Sequence, residues 1–242
     1  MPALILENID INIGDKRILN NINLKLEDRD VVALVGPNGV GKSTLLKAIM
    51  NHPSTIISRG NIELNGEKLV GLSTNKIAKK GIFYCPQDPP MLEGVQTLDF
   101  LKLIAKNSRE SNDFSTSYKK IQSSLKELEL PQEILLRDIN VGFSGGQKKK
   151  LEILQSNLFV PKIMLLDEID SGLDIDAVKI IAKHIKEIAK HTIIILISHH
   201  NEFISAVKPN KVVVLHNGTI SEVGSSKIIK RIDKEGYKSF IK

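Results

Sequence analysis

The 242-residue sequence has only one cysteine, Cys85. No internal disulfide is available to it, and without a second cysteine or a Cys/His cluster a metal cage or cluster-carrying site of its own is not expected. Long apolar runs are also missing. The longest, such as Thr192 to Ile197, are strand-sized and well short of the roughly 20 residues that cross a bilayer, so no direct membrane insertion is expected. Met1 to Glu7 lacks the basic and apolar regions of a secretory signal, which makes the expected location cytoplasmic. The formal charge of +6 is not gathered into a patch: only Gln147 to Lys150 and the C-terminal tail are locally dense in lysine. A solvated basic surface accounts for this, and no nucleic acid is expected as a partner. There is no internal repeat and no low-complexity tract.

The composition that remains is globular, with 41% hydrophobic and 26% charged residues, and the length suits one α/β domain over residues 1–242. Ile9, Ile11 and Ile13, then Ile22, Leu24 and Leu26, alternate with the period of half-buried antiparallel strands. Val31 to Val35 is continuously apolar, as a strand covered on both faces would be, and a Gly-rich turn leads from it into a helix over Lys42 to Ile49. From about Asp88 to Asn140 the spacing of Ile121, Leu125 and Leu128, stopped by Pro131, predicts a mostly helical insertion. Strand-like runs return at Ile163 to Leu166 and Ile193 to Ile197, separated by an amphipathic helix from about Ile175 to Lys190. Near the end, Asn217-Gly218 between two β-rich runs predicts a type I′ hairpin.

Chemistry concentrates at a few places. Gly36, Pro37, Asn38, Gly39, Val40, Gly41, Lys42 and Ser43 satisfy G-x-x-x-x-G-K-[ST] between a buried strand and a helix N-terminus. In such a loop backbone N–H groups curl around phosphate oxygens, the helix dipole adds positive potential, Lys42 reaches the β- and γ-phosphates, and Ser43 ligates Mg²⁺. Thr44 belongs to the same nucleotide-binding set. The strand at Ile163 to Leu166 ends in Asp167 and Glu168, two carboxylates at the edge where such sheets bind phosphates. Asp167 is expected to hold Mg²⁺ through water and Glu168 to orient and polarise the attacking water.

Phe143-Ser-Gly-Gly-Gln147 lies between these motifs and Ser171-Gly-Leu-Asp174 follows them, an ordered set that resembles the ATP-binding cassette family. The resemblance implies a P-loop NTPase with a parallel α/β core, an N-terminal antiparallel β subdomain and a helical subdomain over about 88–160. It implies ATP and Mg²⁺ as cofactors and a head-to-tail sandwich of two cassette copies. In that sandwich Ser144, Gly145, Gly146 and Gln147 of one copy face the ATP held by the other. It further implies that His199 contacts the γ-phosphate, that Gln87 contacts Mg²⁺ and the lytic water, and that Asp174 crosses the interface. The family's adenine-stacking aromatic is matched here by Ile13.

Within the family, Val141 to Gln155 and Asp167 to Ala177 resemble the SufC subfamily of iron–sulfur cluster assembly ATPases, as do Gly81 to Phe83, Val207 to Asn210 and Lys227 to Tyr237. Gln147 stands where that subfamily more often has glutamate. The likeness implies a SufB-type scaffold, with or without SufD, as partner. The alternatives are the ATPase subunit of a membrane transporter and a ribosome-associated or repair ATPase. The segment Gln87 to Glu110 is the expected partner-facing surface.

Overall fold

A computed structural model describes residues 3–108 and 113–240; Glu110, at the end of the expected partner surface, lies outside them. The chain begins with the antiparallel pair β1 (Leu4–Ile13) and β2 (Lys16–Leu26), and the buried Leu4, Leu6, Ile9, Ile11, Ile22, Leu24 and Leu26 are those the alternation selects. β3 (Val31–Val35) then enters the core and α1 (Lys42–Ile49) leaves it. β4 (Ile56–Leu64) returns to pair with β1, followed by β5 (Glu67–Lys68), α2 (Thr74–Lys79) and β6 (Ile82–Cys85).

Next come β7 (Leu92–Gln96), α3 (Thr97–Lys106), α4 (Phe114–Glu127), β8 (Asp138–Ile139) and α5 (Gly145–Phe159). Ile121, Leu125 and Leu128 are buried as their spacing predicts, and the chain leaves α4 at Glu129 (φ 51°) before Pro131. The insertion is mostly helical, as expected, and also carries a short strand pair. β7 and β8 pair as a short antiparallel ribbon, reinforced where Gly94 N–H donates to Asp138 Oδ2 at 2.8 Å. Leu92 and Val95 of that ribbon are exposed, so no buried period of two marks it in the sequence.

The rest is β9 (Ile163–Asp167), α6 (Ile175–Ile188), β10 (Ile193–Ile197), α7 (Asn201–Val207), β11 (Lys211–His216), β12 (Thr219–Gly224) and α8 (Lys227–Glu235). The main sheet runs β12-β11-β3-β10-β9-β6, parallel except at β12. A second sheet runs β2-β1-β4-β5. The main sheet divides the apolar residues between two cores. Val31, Ala33 and Val35, with Met164, Leu166, Ile194 and Leu196, face the core built with α3 to α6. Val32 and Leu34, with Ile163, Leu165, Ile193 and Ile195, face the core built with α1 and the antiparallel sheet. Continuous apolar strands follow from this, since each side chain contributes about 1.5–3 kcal/mol on whichever face it lies.

The hairpin β11–β12 turns at Asn217 (φ 47°) and Gly218 (φ 73°), both positive as a type I′ turn requires. Gly218 also accepts from Asn20 N–H at 2.8 Å, and a Cβ there would lie 2.6 Å from the Ile18 carbonyl oxygen. Among the described residues no helix is long and apolar enough to cross a membrane. Because β3, β6, β9 and β10 are parallel, the segments after them all emerge at one edge of the sheet, and the chemistry lies there.

Candidate functional site

Gly41 is the N-cap of α1, with φ 108° and no side chain to cap the helix, and a Cβ on it would lie 2.8 Å from Leu19 Cδ2. Glycine is required there twice over, by backbone and by packing. Lys42 folds back so that Nζ donates to the carbonyls of Gly36 (3.0 Å) and Pro37 (3.2 Å). Burial pushes its ammonium below the usual lysine range, against the opposing pull of Glu168 and Asp167. Asn38, Gly39, Gly41, Lys42, Ser43 and Thr44 line an open recess of about 410 Å³, whose other walls are Gln87, Glu168 and His199. Four separate strand ends thus deliver one site.

Asp167 at the end of β9 is buried and spends both oxygens: Ser43 Oγ donates to Oδ1 at 2.8 Å and the Tyr84 hydroxyl donates to Oδ2 at 2.9 Å. Tyr84, on β6, was not anticipated from the sequence. Burial first, and Asp167 beside it second, push its phenol far above the usual range, so it stays a donor. Glu168 sits at φ 51°, an uncommon conformation for a residue other than glycine, held by its N–H donating to Ile197 O at 3.1 Å. Its carboxylate accepts from Gln87 Nε2 at 2.7 Å and lies 3.5 Å from His199 Nε2.

These donors suit Mg²⁺. The hydroxyl of Ser43 and the carboxylate of Asp167 meet directly beside the phosphate loop and are hard oxygen ligands. Among the described residues there is no His/Cys/Asp/Glu group able to cage a metal alone.

Other expected residues lie elsewhere. Ser144, Gly145, Gly146 and Gln147 do not line the recess; they start α5, where Ser144 Oγ accepts from Gln147 N–H at 3.2 Å and Gln147 Oε1 accepts from Ser144 N–H at 3.0 Å. Asp174 caps α6 by accepting from Ala177 N–H at 2.7 Å. Pro37 and Val40 face a neighbouring recess of about 310 Å³ with Lys16, Arg17, Ile18 and His216. Ile13, at the end of β1, is half exposed and does not line that recess.

Lys149 is a further residue that no spacing rule marks. Buried on α5, it donates through Nζ to the carbonyls of Pro86 (3.2 Å) and Gln87, tying that helix to the loop that carries Gln87. Burial pushes its ammonium down as well.

A family model described as "ABC transporter" matches residues 19–171. "Vegetative protein 296" of Bacillus subtilis (strain 168) is 36% identical over 239 residues, covering 97% of this chain and 92% of that protein. "Probable ATP-dependent transporter ycf16" of Antithamnion sp. is 38% identical over 238 residues, covering 96% and 95% respectively. A solved structure described as the ATP binding subunit of an ABC transporter superposes with a TM-score of 0.83 at 25% identity, covering 99% of both chains.

Proposed function

The chain belongs to the ABC transporter family and is an ATP-hydrolysing cassette subunit; from that premise we propose that it drives conformational change in an iron–sulfur cluster assembly scaffold of SufB type, with or without SufD. One observation carries the reading. The run Val141 to Gln155, whose likeness is to the Suf ATPases, leads through the N-cap Ser144 into α5 and sets Lys149 against the loop of Gln87. A cytoplasmic location goes with this reading, and so does cluster assembly on the partner, since Cys85 is buried and is the only cysteine here.

In the proposed reaction Lys42 and the amides at the start of α1 bind the β- and γ-phosphates. Glu168 orients water and receives its proton while the water oxygen bonds to the γ-phosphorus, and the bond to the β-phosphate oxygen breaks to release ADP and phosphate. Gln87 fixes the Glu168 carboxylate, and His199 contacts the γ-phosphate. Ser43, Gln87 and, through water, Asp167 would hold Mg²⁺, which would supply charge neutralisation at the phosphates.

The signature residues act on the ATP of a second copy. Gly145 and Gly146 support this part of the proposal: a Cβ at Gly145 would meet nothing within 4 Å, and at Gly146 only Leu173 Cδ2 at 3.7 Å. The chain's own packing does not demand glycine at either place, whereas close approach from outside does.

The test is co-expression with SufB- and SufD-type proteins, isolation without detergent, and measurement of ATPase activity and iron–sulfur absorbance. A soluble complex with raised turnover is expected. A second reading, the ATPase subunit of a membrane transporter, is favoured by the Antithamnion relative, which is described as a probable ATP-dependent transporter. Stoichiometric capture by a permease, with no binding to any soluble scaffold, would establish it instead.

A further inference from the structure

We propose that Asp170, Ser198 and His200 are positioning residues that fix His199 against Glu168; the proposal rests on the reading of those two side chains given above. Asp170 follows Glu168 by two residues, and its side chain is 1% exposed. One oxygen does all of its visible work: Oδ2 accepts from Ser198 Oγ at 2.6 Å and from His200 Nδ1 at 2.7 Å. Ser198 Oγ in turn accepts from His200 N–H at 3.0 Å. The other oxygen, Oδ1, is buried with no hydrogen-bond partner among the described residues. A buried carboxylate left half satisfied is costly, and neither side of the phosphate recess uses it.

The spacing explains what the carboxylate achieves. Ser198 and His200 flank His199, which lies at a bend just past the end of β10, and both flanking side chains are held on the one Asp170 oxygen. With the residues on either side of it anchored to Asp170, the bend at 199 is fixed, and its side chain is the one of the three that lines the recess. Asp170 is on the same loop as Glu168, so one anchor sets the position of the histidine relative to the carboxylate, now 3.5 Å apart. The acceptor also sets the imidazole: with a carboxylate at Nδ1, His200 donates from that nitrogen.

Removing Asp170 itself would leave the buried Ser198 hydroxyl without its acceptor and threatens the fold, so the test begins with the side chains that Asp170 holds. His200→Ala and Ser198→Ala are compared with His200→Asn, whose amide nitrogen takes the place of Nδ1, and with His199→Ala, by steady-state ATPase kinetics and nucleotide titration of the full chain. We expect kcat to fall roughly ten- to a hundredfold in the two alanine variants with KM and nucleotide affinity unchanged, as a displacement of order 1 Å at the reacting groups produces. His200→Asn is expected to recover most of that loss. Wild-type kcat in both alanine variants, a rise in KM alone, or failure of asparagine to rescue would each overturn the clamp. His199→Ala separates the two levels: wild-type turnover in that variant would overturn the role of His199, whereas loss there beside wild-type alanine variants at 198 and 200 overturns the clamp alone.

Discussion

Two helices of this chain begin at glycine-bearing loops, and they begin in opposite ways. α1 has Gly41 at its N-cap and no side chain serving its first turn. α5 has Ser144 at its N-cap and closes a reciprocal box with Gln147. A side-chain cap stabilises a helix by about 1 kcal/mol, so α1 forgoes that stabilisation and keeps its amides and positive dipole end for an anion. In α5 the N–H groups of Ser144 and Gln147 are occupied by that box. The glycines differ in the same sense: Gly41 is required by a positive φ and by Leu19, whereas Gly145 and Gly146 meet almost nothing. One helix start is left uncapped beside the recess, and the other is a capped start whose glycines have free space beside them.

The largest effect should come from the α1 side. Lys42→Ala removes the ammonium beside the phosphate loop, and we expect nucleotide affinity or turnover to fall on the order of 10²-fold or more, read by titration with a fluorescent nucleotide. Unchanged affinity and turnover would remove the distinction between the two helix starts. Glu168→Gln comes next, retaining shape while losing the carboxylate. Binding should persist while turnover falls on the order of 10²-fold, and light scattering should detect an ATP-held dimer; wild-type turnover would exclude Glu168 from the reaction.

The sharpest comparison is between glycines. Gly146→Ala should stabilise the isolated chain by about 0.5–1 kcal/mol, because alanine is the better helix former and has room, yet it should weaken ATP-dependent pairing. Gly41→Ala should do the reverse to the fold, lowering the melting temperature through the clash with Leu19 and the φ of 108°. Equal pairing by wild-type and Gly146→Ala chains would mean that nothing approaches α5 closely.

What was legible in the sequence follows the same line. The phosphate loop, the Asp167-Glu168 strand end and the Asn217-Gly218 turn are local patterns, in which neighbouring residues state the geometry, and each lies where it was expected. The ribbon β7–β8 was not legible, because exposed Leu92 and Val95 carry no burial period. Tyr84, Lys149 and the Asp170–Ser198–His200 cluster were missed for a different reason. Their partners are distant in sequence, as with Tyr84 and Asp167 or Asp170 and His200, and only strand order brings them together. The capping role of Asp174 was hidden behind the interface role assigned to it.

The smallest effect concerns the inner faces of the same two helices. α1 buries Leu45, Leu46, Ala48 and Ile49 around Lys42, whereas α5 buries Lys149, Glu152 and Gln155 among its apolar residues. Burial raises the Glu152 carboxyl to about 7, with Gln155 and Lys149 pulling the other way. In the unfolded chain the same group titrates near 4.5. Between those values the folded chain keeps a proton that the unfolded chain has lost. The stability this contributes is fully present below about 4.5 and is lost as the pH rises through about 7. From pH 6 to pH 8 the loss is on the order of 1 kcal/mol, or roughly 2–4 °C in melting temperature for a chain of this size. Glu152→Gln keeps the shape without the proton, so the difference in melting temperature between Glu152→Gln and wild type should grow in favour of the variant across that window. A difference that does not change with pH would mean that Glu152 is ionised in the folded chain, and that α5 is no more sensitive to pH than α1.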